Sequence, residues 1–196
     1  WDEILVKKIP TYILKIQHLL FIPMLALYVP VFFITTKIYM FQKRKWEEIG
    51  LVITHFLFFS LFFRNWHDFI LFYMIGYGFQ GLYLGIMFGI NHFAMPRIFD
   101  KKTNWAEWQM AGTCNWGVGS RFAEYISGFL NLQIEHHLVP QMPPENYHLI
   151  TNDIKEYAKL NDIKYEEYSF KDAFINMMKG LRKTALIELK KREFNK

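Results

Sequence analysis

Residues 16–36 read IQHLLFIPMLALYVPVFFITT and carry no formally charged side chain. As an α-helix this stretch would be roughly 30 Å long, which matches the hydrocarbon core of a bilayer. Pro23 and Pro30 lie inside it, and transmembrane helices tolerate such prolines because neighbouring groups satisfy the freed carbonyls. The stretch therefore predicts a membrane-spanning helix, and it decides the fold class of the chain.

Two further uncharged runs follow along the chain. Residues 49–63, which include His55, are too few for a full crossing and predict a re-entrant or interfacial helix. Residues 69–96 are long enough to cross. Their glycines are spaced so that helices can pack closely in lipid; they are Gly76, Gly78, Gly81, Gly85 and Gly89. The first part of the chain is thus expected to hold two full spans and one short apolar helix.

The second half of the chain is polar and charged, with apolar residues at helical spacing in residues 145–160 and 169–194. Hydrophobic residues make up 52% of the chain and aromatic residues 19%, and both are concentrated in the first half. No stretch alternates as a strand would. We therefore predict an all-α protein, in which residues 1–96 are embedded in the membrane and residues 97–196 form a helical cap on the cytosolic side.

The charge pattern bears on possible partners. The net charge is +5, and the basic residues stand at the ends of apolar runs and in the last twenty residues. This placement favours contact with the bilayer and its anionic lipids over nucleic acid. A basic cytosolic face would equally attract an acidic electron donor, so both partners stay open. The lone cysteine, Cys114, excludes an internal disulfide.

The segment NLQIEHHLVP, residues 131–140, carries the strongest indication of chemistry. On a helix, Gln133, His136 and His137 share one face, whereas Glu135 points away from it. Neutral imidazole is a good ligand for iron, zinc or copper. A histidine pair by itself is more often a surface feature, so the flanking residues decide the interpretation.

Those flanking residues resemble a known family, the membrane-bound fatty acid desaturases, in the front-end form whose third histidine box reads Q-x-x-H-H. The resemblance covers nearly the whole chain. It rests on IQHLLFIP (16–23), FGINHFAMP (88–96), TCNW (113–116), the box itself, VPQMP (139–143) and YHLITNDIKEYAKLNDIKYEE (147–167). Pro144 stands where the family usually has Arg. The family's first two boxes, H-x-x-x-H and H-x-x-H-H, and its cytochrome b5-like domain are not in this sequence. Because the chain also opens at Trp1, we expect it to be part of a longer protein.

The resemblance implies a di-iron centre that uses O2 to place a cis double bond between an existing one and the carboxyl end of a fatty acyl chain. It implies electrons from cytochrome b5, fused or separate, and its NADH-dependent reductase, in the endoplasmic reticulum membrane with the site facing the cytosol. By position, the iron ligands would be His92, Gln133, His136 and His137, with no further catalytic side chain. Asn91 would orient an imidazole or a water. The place of His18 beside Gln17, at the start of the apolar run, favours a polar helix cap, with a role in the substrate path or at the membrane interface as alternatives.

Several alternatives stay open at this point. A sphingolipid long-chain-base desaturase shares the Q-x-x-H-H box, and a truncated paralogue without activity would also fit. The chain alone offers too few histidines for two irons and is expected to be inactive. Asp100, Glu107 and Glu124 are candidate acceptors for metal-bound imidazoles, and nothing in the sequence selects one. The remaining histidines, His55, His67 and His148, are interpreted as packing or surface residues.

Overall fold

The computed structural model describes residues 9–95 and 104–194 of the chain. The predicted all-α class is confirmed. The α-helices within the described residues are α1 (Thr11–Gln42), α2 (Trp46–Ser60), α3 (Trp66–His92), α4 (Trp105–Ala111), α5 (Arg121–Ser127), α6 (Gln133–Leu138), α7 (Tyr147–Leu160) and α8 (Phe170–Phe194). A 3₁₀ turn, Pro144–Asn146, precedes α7. The two-residue strands β1 (Asn115–Trp116) and β2 (Glu167–Tyr168) pair in parallel, a contact that the sequence does not predict.

Two helices of the described chain, α1 and α3, are long and apolar enough to cross a membrane, judged by length and composition. The two predicted spans thus correspond to two helices that could span a membrane. The short run became the 15-residue helix α2. Helix α1 begins at Thr11, earlier than the uncharged run, because Lys15 is compatible with a helix and the Pro10 carbonyl accepts hydrogen bonds from the first turn. Pro23 and Pro30 lie within α1 without ending it.

Leu19–Gly85 form one compact unit. Aromatic rings fill much of its interior, and the rings of Phe56 and Tyr73 lie 4.8 Å apart between centroids. His55 belongs to this cluster as a hydrogen-bonded residue, since its Nε2 lies 2.9 Å from the Tyr73 hydroxyl. Helices α1 and α3 approach closely, with Leu25 set against Gly81 and Gly85. The glycine spacing thus serves helix packing, as small residues do in membranes.

Gly81→Ala should lower the thermal unfolding midpoint of the purified protein. A Cβ at this position would overlap the backbone carbonyl of Leu25, and a backbone atom cannot swing aside as a side-chain end can. Overpacking of this kind costs about 1–3 kcal/mol, or several degrees of midpoint. Gly76→Ala is the matched control, because no atom lies within 4 Å of its added Cβ and Ala favours a helix. Equal midpoints for the two variants would contradict this account.

The second unit combines Trp1–His18 with Ile86–Lys196, and its described residues are 9–18, 86–95 and 104–194. Helix α8 packs against the end of α3, with Met177 beside Gly89 and Gly180 beside the Phe93 backbone. The beginning of α1 joins the same unit, because Gln17 Nε2 donates a hydrogen bond to the Leu181 carbonyl at 2.8 Å. The beginning of α1 and residues that follow the end of α3 are therefore in contact.

Candidate metal centre

The end of α3 is joined to the rest of its unit through the segment Thr113–Asn115. The Cys114 backbone N–H donates to the Asn91 carbonyl at 3.1 Å, and its thiol points at the Ile90 carbonyl. The next residue, Asn115, accepts a hydrogen bond from the Ile134 backbone N–H at 2.9 Å. Through these contacts the segment connects the helix carrying His92 to the helix carrying His136.

Helix α6 is held from its buried side by a hydrogen-bonded carboxylate. Glu135 is fully buried. It accepts hydrogen bonds from Asn115 Nδ2 at 2.7 Å and from the Tyr165 hydroxyl at 2.8 Å. Burial, and then the Glu135 charge, raise the pKa of Tyr165, so its hydroxyl stays protonated and donates. The acid thus lies away from the imidazoles, as helical spacing predicted, and fixes the rotation of α6.

Each of the three imidazoles is anchored through Nδ1. His137 Nδ1 lies 2.8 Å from Gln109 Oε1, His92 Nδ1 lies 3.4 Å from the Gly112 carbonyl, and His136 Nδ1 lies 3.0 Å from the Tyr147 hydroxyl. A carbonyl oxygen only accepts, so Nδ1 of His92 and of His137 carries the proton. The lone pair of each of these rings is then on Nε2, which is how metal-ligating histidines are commonly oriented.

The spacing of the rings fits pairwise ligation. The centroids of His92 and His137 lie 5.2 Å apart, and those of His136 and His137 lie 5.8 Å apart. Two imidazoles that share one ion at a metal–nitrogen distance of about 2.1 Å have centroids about 4.6–5.3 Å apart. The first pair meets this condition. No group of three or more His, Cys, Asp or Glu side chains within the described ranges could enclose a metal ion.

The protonation state of His137 suits a ligand. Burial lowers its pKa to about 4, with smaller contributions from the neighbouring His92 and His136. The ring is therefore neutral at physiological pH, and neutral imidazole is the form that donates a lone pair to a metal. The donor set in this part of the chain fits iron ligation by imidazole, with each ring oriented by the protein.

Asn91 and Gln133 meet beside the imidazoles. Both are buried, and Asn91 Nδ2 lies 3.1 Å from Gln133 Oε1. The Asn91 Oδ1 atom is buried and has no hydrogen-bond partner among the described residues. The predicted site residues thus form two contacting pairs, Asn91 with Gln133 and His92 with His137, and His136 lies beside His137 in α6.

The other predicted residues lie elsewhere. His18 lies inside α1, seven positions after its first residue Thr11, so the interpretation as a helix cap is wrong. Its buried Nδ1 has no partner among the described residues. His67 and His148 are exposed. Glu107 and Glu124 are not partners of the imidazoles in the described part of the chain, and Asp100 lies outside the described residues.

Sequence reasoning missed the residues that orient the rings. Gln109 stands 28 positions before His137, and Tyr147 stands 11 positions after His136. Tyr147 could have been noticed, since it opens an amphipathic helix directly after the box and is fully buried. Gln109 lies in the seven-residue helix α4, where no periodicity marks it.

Comparison with known proteins identifies the class. The fatty acid desaturase family model matches residues 5–169. The chain therefore belongs to the fatty acid desaturase family. It is 28% identical over 185 residues to the fatty acid desaturase 2-like protein FADS2B of Mus musculus, covering 91% of this chain and 38% of the relative. No solved structure matches it.

Plant relatives agree with this assignment. The chain is 31% identical over 163 residues to the Delta(8)-fatty-acid desaturase of Borago officinalis, covering 79% of this chain and 36% of the relative. It is 29% identical over 184 residues to the Delta(8)-fatty-acid desaturase of Helianthus annuus, covering 89% and 40%. The front-end group predicted from the Q-x-x-H-H box is thus confirmed. The chain spans about two fifths of the length of these relatives.

Proposed function

We propose that this chain forms one side of a di-iron centre in an O2-dependent front-end fatty acyl desaturase. The observation that carries the proposal is the Nδ1 anchoring of His92, His136 and His137 beside one another. When bound, the iron ions supply the oxidising power from dioxygen that removal of two hydrogens from an unactivated acyl chain requires. The protein's part is to orient these rings and to keep them half-buried.

The three rings are the proposed iron ligands of this chain, and Gln133 on the same face of α6 is the predicted fourth. Cytochrome b5 and its NADH-dependent reductase are the proposed electron source, and the endoplasmic reticulum membrane the proposed location. The substrate is a fatty acyl chain that already carries a double bond. The fatty acid desaturases among the relatives of this chain support this substrate class, and a sphingoid base is the alternative that the following experiment distinguishes.

Expression of the full-length protein and of the 196-residue chain, side by side in yeast fed with polyunsaturated acids, tests this proposal. The longer protein should yield a new fatty acid with an added double bond, detected by gas chromatography of methyl esters. The 196-residue chain should yield none, because its described residues offer too few imidazoles for two irons. New unsaturation confined to sphingoid bases would refute the proposed substrate, and desaturation by the short chain would refute the shared site.

The membrane orientation makes a separate prediction. A glycosylation acceptor inserted beside Asp68 should be modified, because α1 crosses once and α2 does not return the chain to the cytosol. An acceptor beside Asn161, which is exposed after α7, should stay unmodified. Sensitivity of the gel shift to endoglycosidase H provides the measurement. An unmodified acceptor at Asp68 would mean that α2 spans the membrane after all.

A further inference from the structure

Helices α4 and α5 each expose two large aromatic side chains, although both helices lie in the polar half of the chain. Trp105 and Trp108 of α4 are 56% and 52% exposed, and Phe122 and Tyr125 of α5 are 73% and 85% exposed. In each helix the two rings are three positions apart and therefore share one side. Exposed apolar area of this kind usually marks a contact with a protein or a membrane.

The end of α3 determines the level of these two helices relative to a bilayer. The uncharged part of α3 begins at Phe69, directly after Asp68. In the membrane location proposed above, about 20 residues cross the hydrocarbon core, so the crossing ends near Phe88, and Asn91 and His92 follow about one turn later. These two residues therefore lie in the polar layer of the membrane, which is roughly 5–8 Å thick on each side.

Hydrogen bonds join both α4 and α5 to this end of α3. Gly112 follows the last residue of α4, and its carbonyl lies 3.4 Å from His92 Nδ1. Leu130, three residues after the end of α5, accepts a hydrogen bond from Asn91 Nδ2 at 2.9 Å. Each of the two helices has seven residues and is about 10 Å long. Neither helix can therefore extend far from the polar layer in which α3 ends.

The positions of the exposed tryptophans support the same level. Among the described residues, the exposed indoles are those of Trp46, Trp66, Trp105 and Trp108, whereas Trp116 is buried. Trp46 and Trp66 are the first residues of α2 and α3, where apolar helices begin. Tryptophan and tyrosine are enriched at membrane interfaces, because the ring is apolar and its N–H or O–H stays hydrated. Two of the exposed indoles thus already stand where an aromatic belt is expected.

Building on the membrane location proposed above, and without reference to the iron centre, we propose that the exposed aromatic sides of α4 and α5 insert into the interfacial layer of the cytosolic leaflet. The partner is phospholipid, because this surface continues from the end of a membrane-spanning helix and consists of aromatic rings on both helices. The opposite sides, at Met110 in α4 and at Ala123 and Ser127 in α5, are buried in the protein. Because α4 also carries Gln109, the bilayer supports the helix that orients the His137 ring.

Nitroxide labels measure how deep these helices lie. The full-length protein, with its other reactive cysteines replaced by serine, is reconstituted alone into phosphatidylcholine nanodiscs. Dissolved oxygen concentrates in the apolar layer and a polar nickel chelate in water, so the ratio of their collision rates with a label increases with depth. Labels at Trp105→Cys and Phe122→Cys should give ratios several-fold higher than a label at Leu160→Cys.

Two positions calibrate the measurement. Leu160 is the matched control, because it is apolar and 78% exposed but ends α7, which has no hydrogen bond to α3 among the described residues. Phe79 is the reference for a side chain that faces lipid, because it is 69% exposed within the uncharged part of α3. Cys114 stays in place, since it is buried.

Tryptophan fluorescence provides a check without labels. Trp105→Phe combined with Trp108→Phe removes the two indoles of α4, whereas Trp116→Phe removes a buried one. In nanodiscs that contain brominated phospholipid, the emission lost with the α4 pair should be quenched several-fold more strongly than the emission lost with Trp116. Phenylalanine keeps an aromatic ring at each position, which limits the disturbance of packing.

Two results would overturn the inference. A label at Trp105 or Phe122 that is as accessible to the chelate as the label at Leu160 would show that its helix faces water and is free for another protein. Spin–spin broadening between labels of two copies would show that a second copy of the chain covers this surface. Failure of the membrane location is a different result, because the Phe79 label would then also be accessible to the chelate, and the inference would fall with it.

Discussion

His136→Ala and His137→Ala, each made in the full-length protein, should abolish desaturation and remove most of the bound iron. Each substitution deletes an imidazole that the protein holds through Nδ1. His92 cannot take the place of the missing ring, because its own Nδ1 is held at the Gly112 carbonyl. Mutation of a group that only hydrogen-bonds to a metal ligand typically lowers metal affinity or activity by about 10–100-fold. Loss of a ligand itself should lower them by more. Product analysis and iron quantification on the same preparation provide the measurement.

His148→Ala is the control for these variants. His148 is exposed on α7 and contacts none of the three rings. It should therefore retain full activity and iron.

Gln109→Leu is a milder change, because it keeps the His137 imidazole but removes the acceptor of its Nδ1. The iron content of this variant should fall less than that of His137→Ala. Wild-type iron in both alanine variants would remove these histidines from the proposed centre.

Glu135→Ala should be the most destabilising single substitution among the residues that support α6. It would leave the Tyr165 hydroxyl and one of the two N–H groups of Asn115 Nδ2 without an acceptor inside the core, since the other N–H still donates to the Tyr165 hydroxyl oxygen. Each buried group left unsatisfied costs about 1–3 kcal/mol. Together these losses should lower the unfolding midpoint by on the order of 10 °C, measured by fluorescence-detected melting in detergent.

Glu135→Gln separates the hydrogen bonds from the charge. The amide can accept from Asn115 through oxygen and donate to the Tyr165 hydroxyl oxygen through nitrogen, so a contact with each partner is kept in the same side-chain shape and only the Tyr165 hydroxyl proton loses its acceptor. Its midpoint should therefore fall by much less than that of Glu135→Ala. A loss as large as that of Glu135→Ala would show that the negative charge, rather than the hydrogen bonds, stabilises this part of the molecule.

The placement of helices was predictable wherever a long periodic or uncharged run exists. The run at residues 169–194 became α8 (Phe170–Phe194), and the uncharged run at 69–96 became α3 (Trp66–His92). Boundaries moved where local chemistry decides them. The helix expected over 145–160 begins at Tyr147, because Pro144 opens a 3₁₀ turn first.

The partners of the site residues were not predictable from the same sequence. Asn91 and Gln133 are 42 positions apart, and Asn115 and Tyr165 are 50 positions apart. Both pairs are made by polar side chains in short helices and loops, where no periodicity marks the partner. The candidates chosen for their charge, Glu107 and Glu124, are not partners of the rings in the described chain. Neutral groups, an amide, a carbonyl and a hydroxyl, hold the three rings instead.

By itself, the sequence determined that this is an all-α desaturase-family chain with two apolar spans and a histidine-bearing helix. The length of an uncharged run and the helical spacing of apolar residues are local properties of a sequence. The uncharged run at residues 16–36 is the first example in this chain. Only the tertiary structure decided what each site side chain can offer. A hydrogen bond needs two groups in place, and the Leu130 carbonyl that accepts from Asn91 is brought to it from 39 positions away by folding alone.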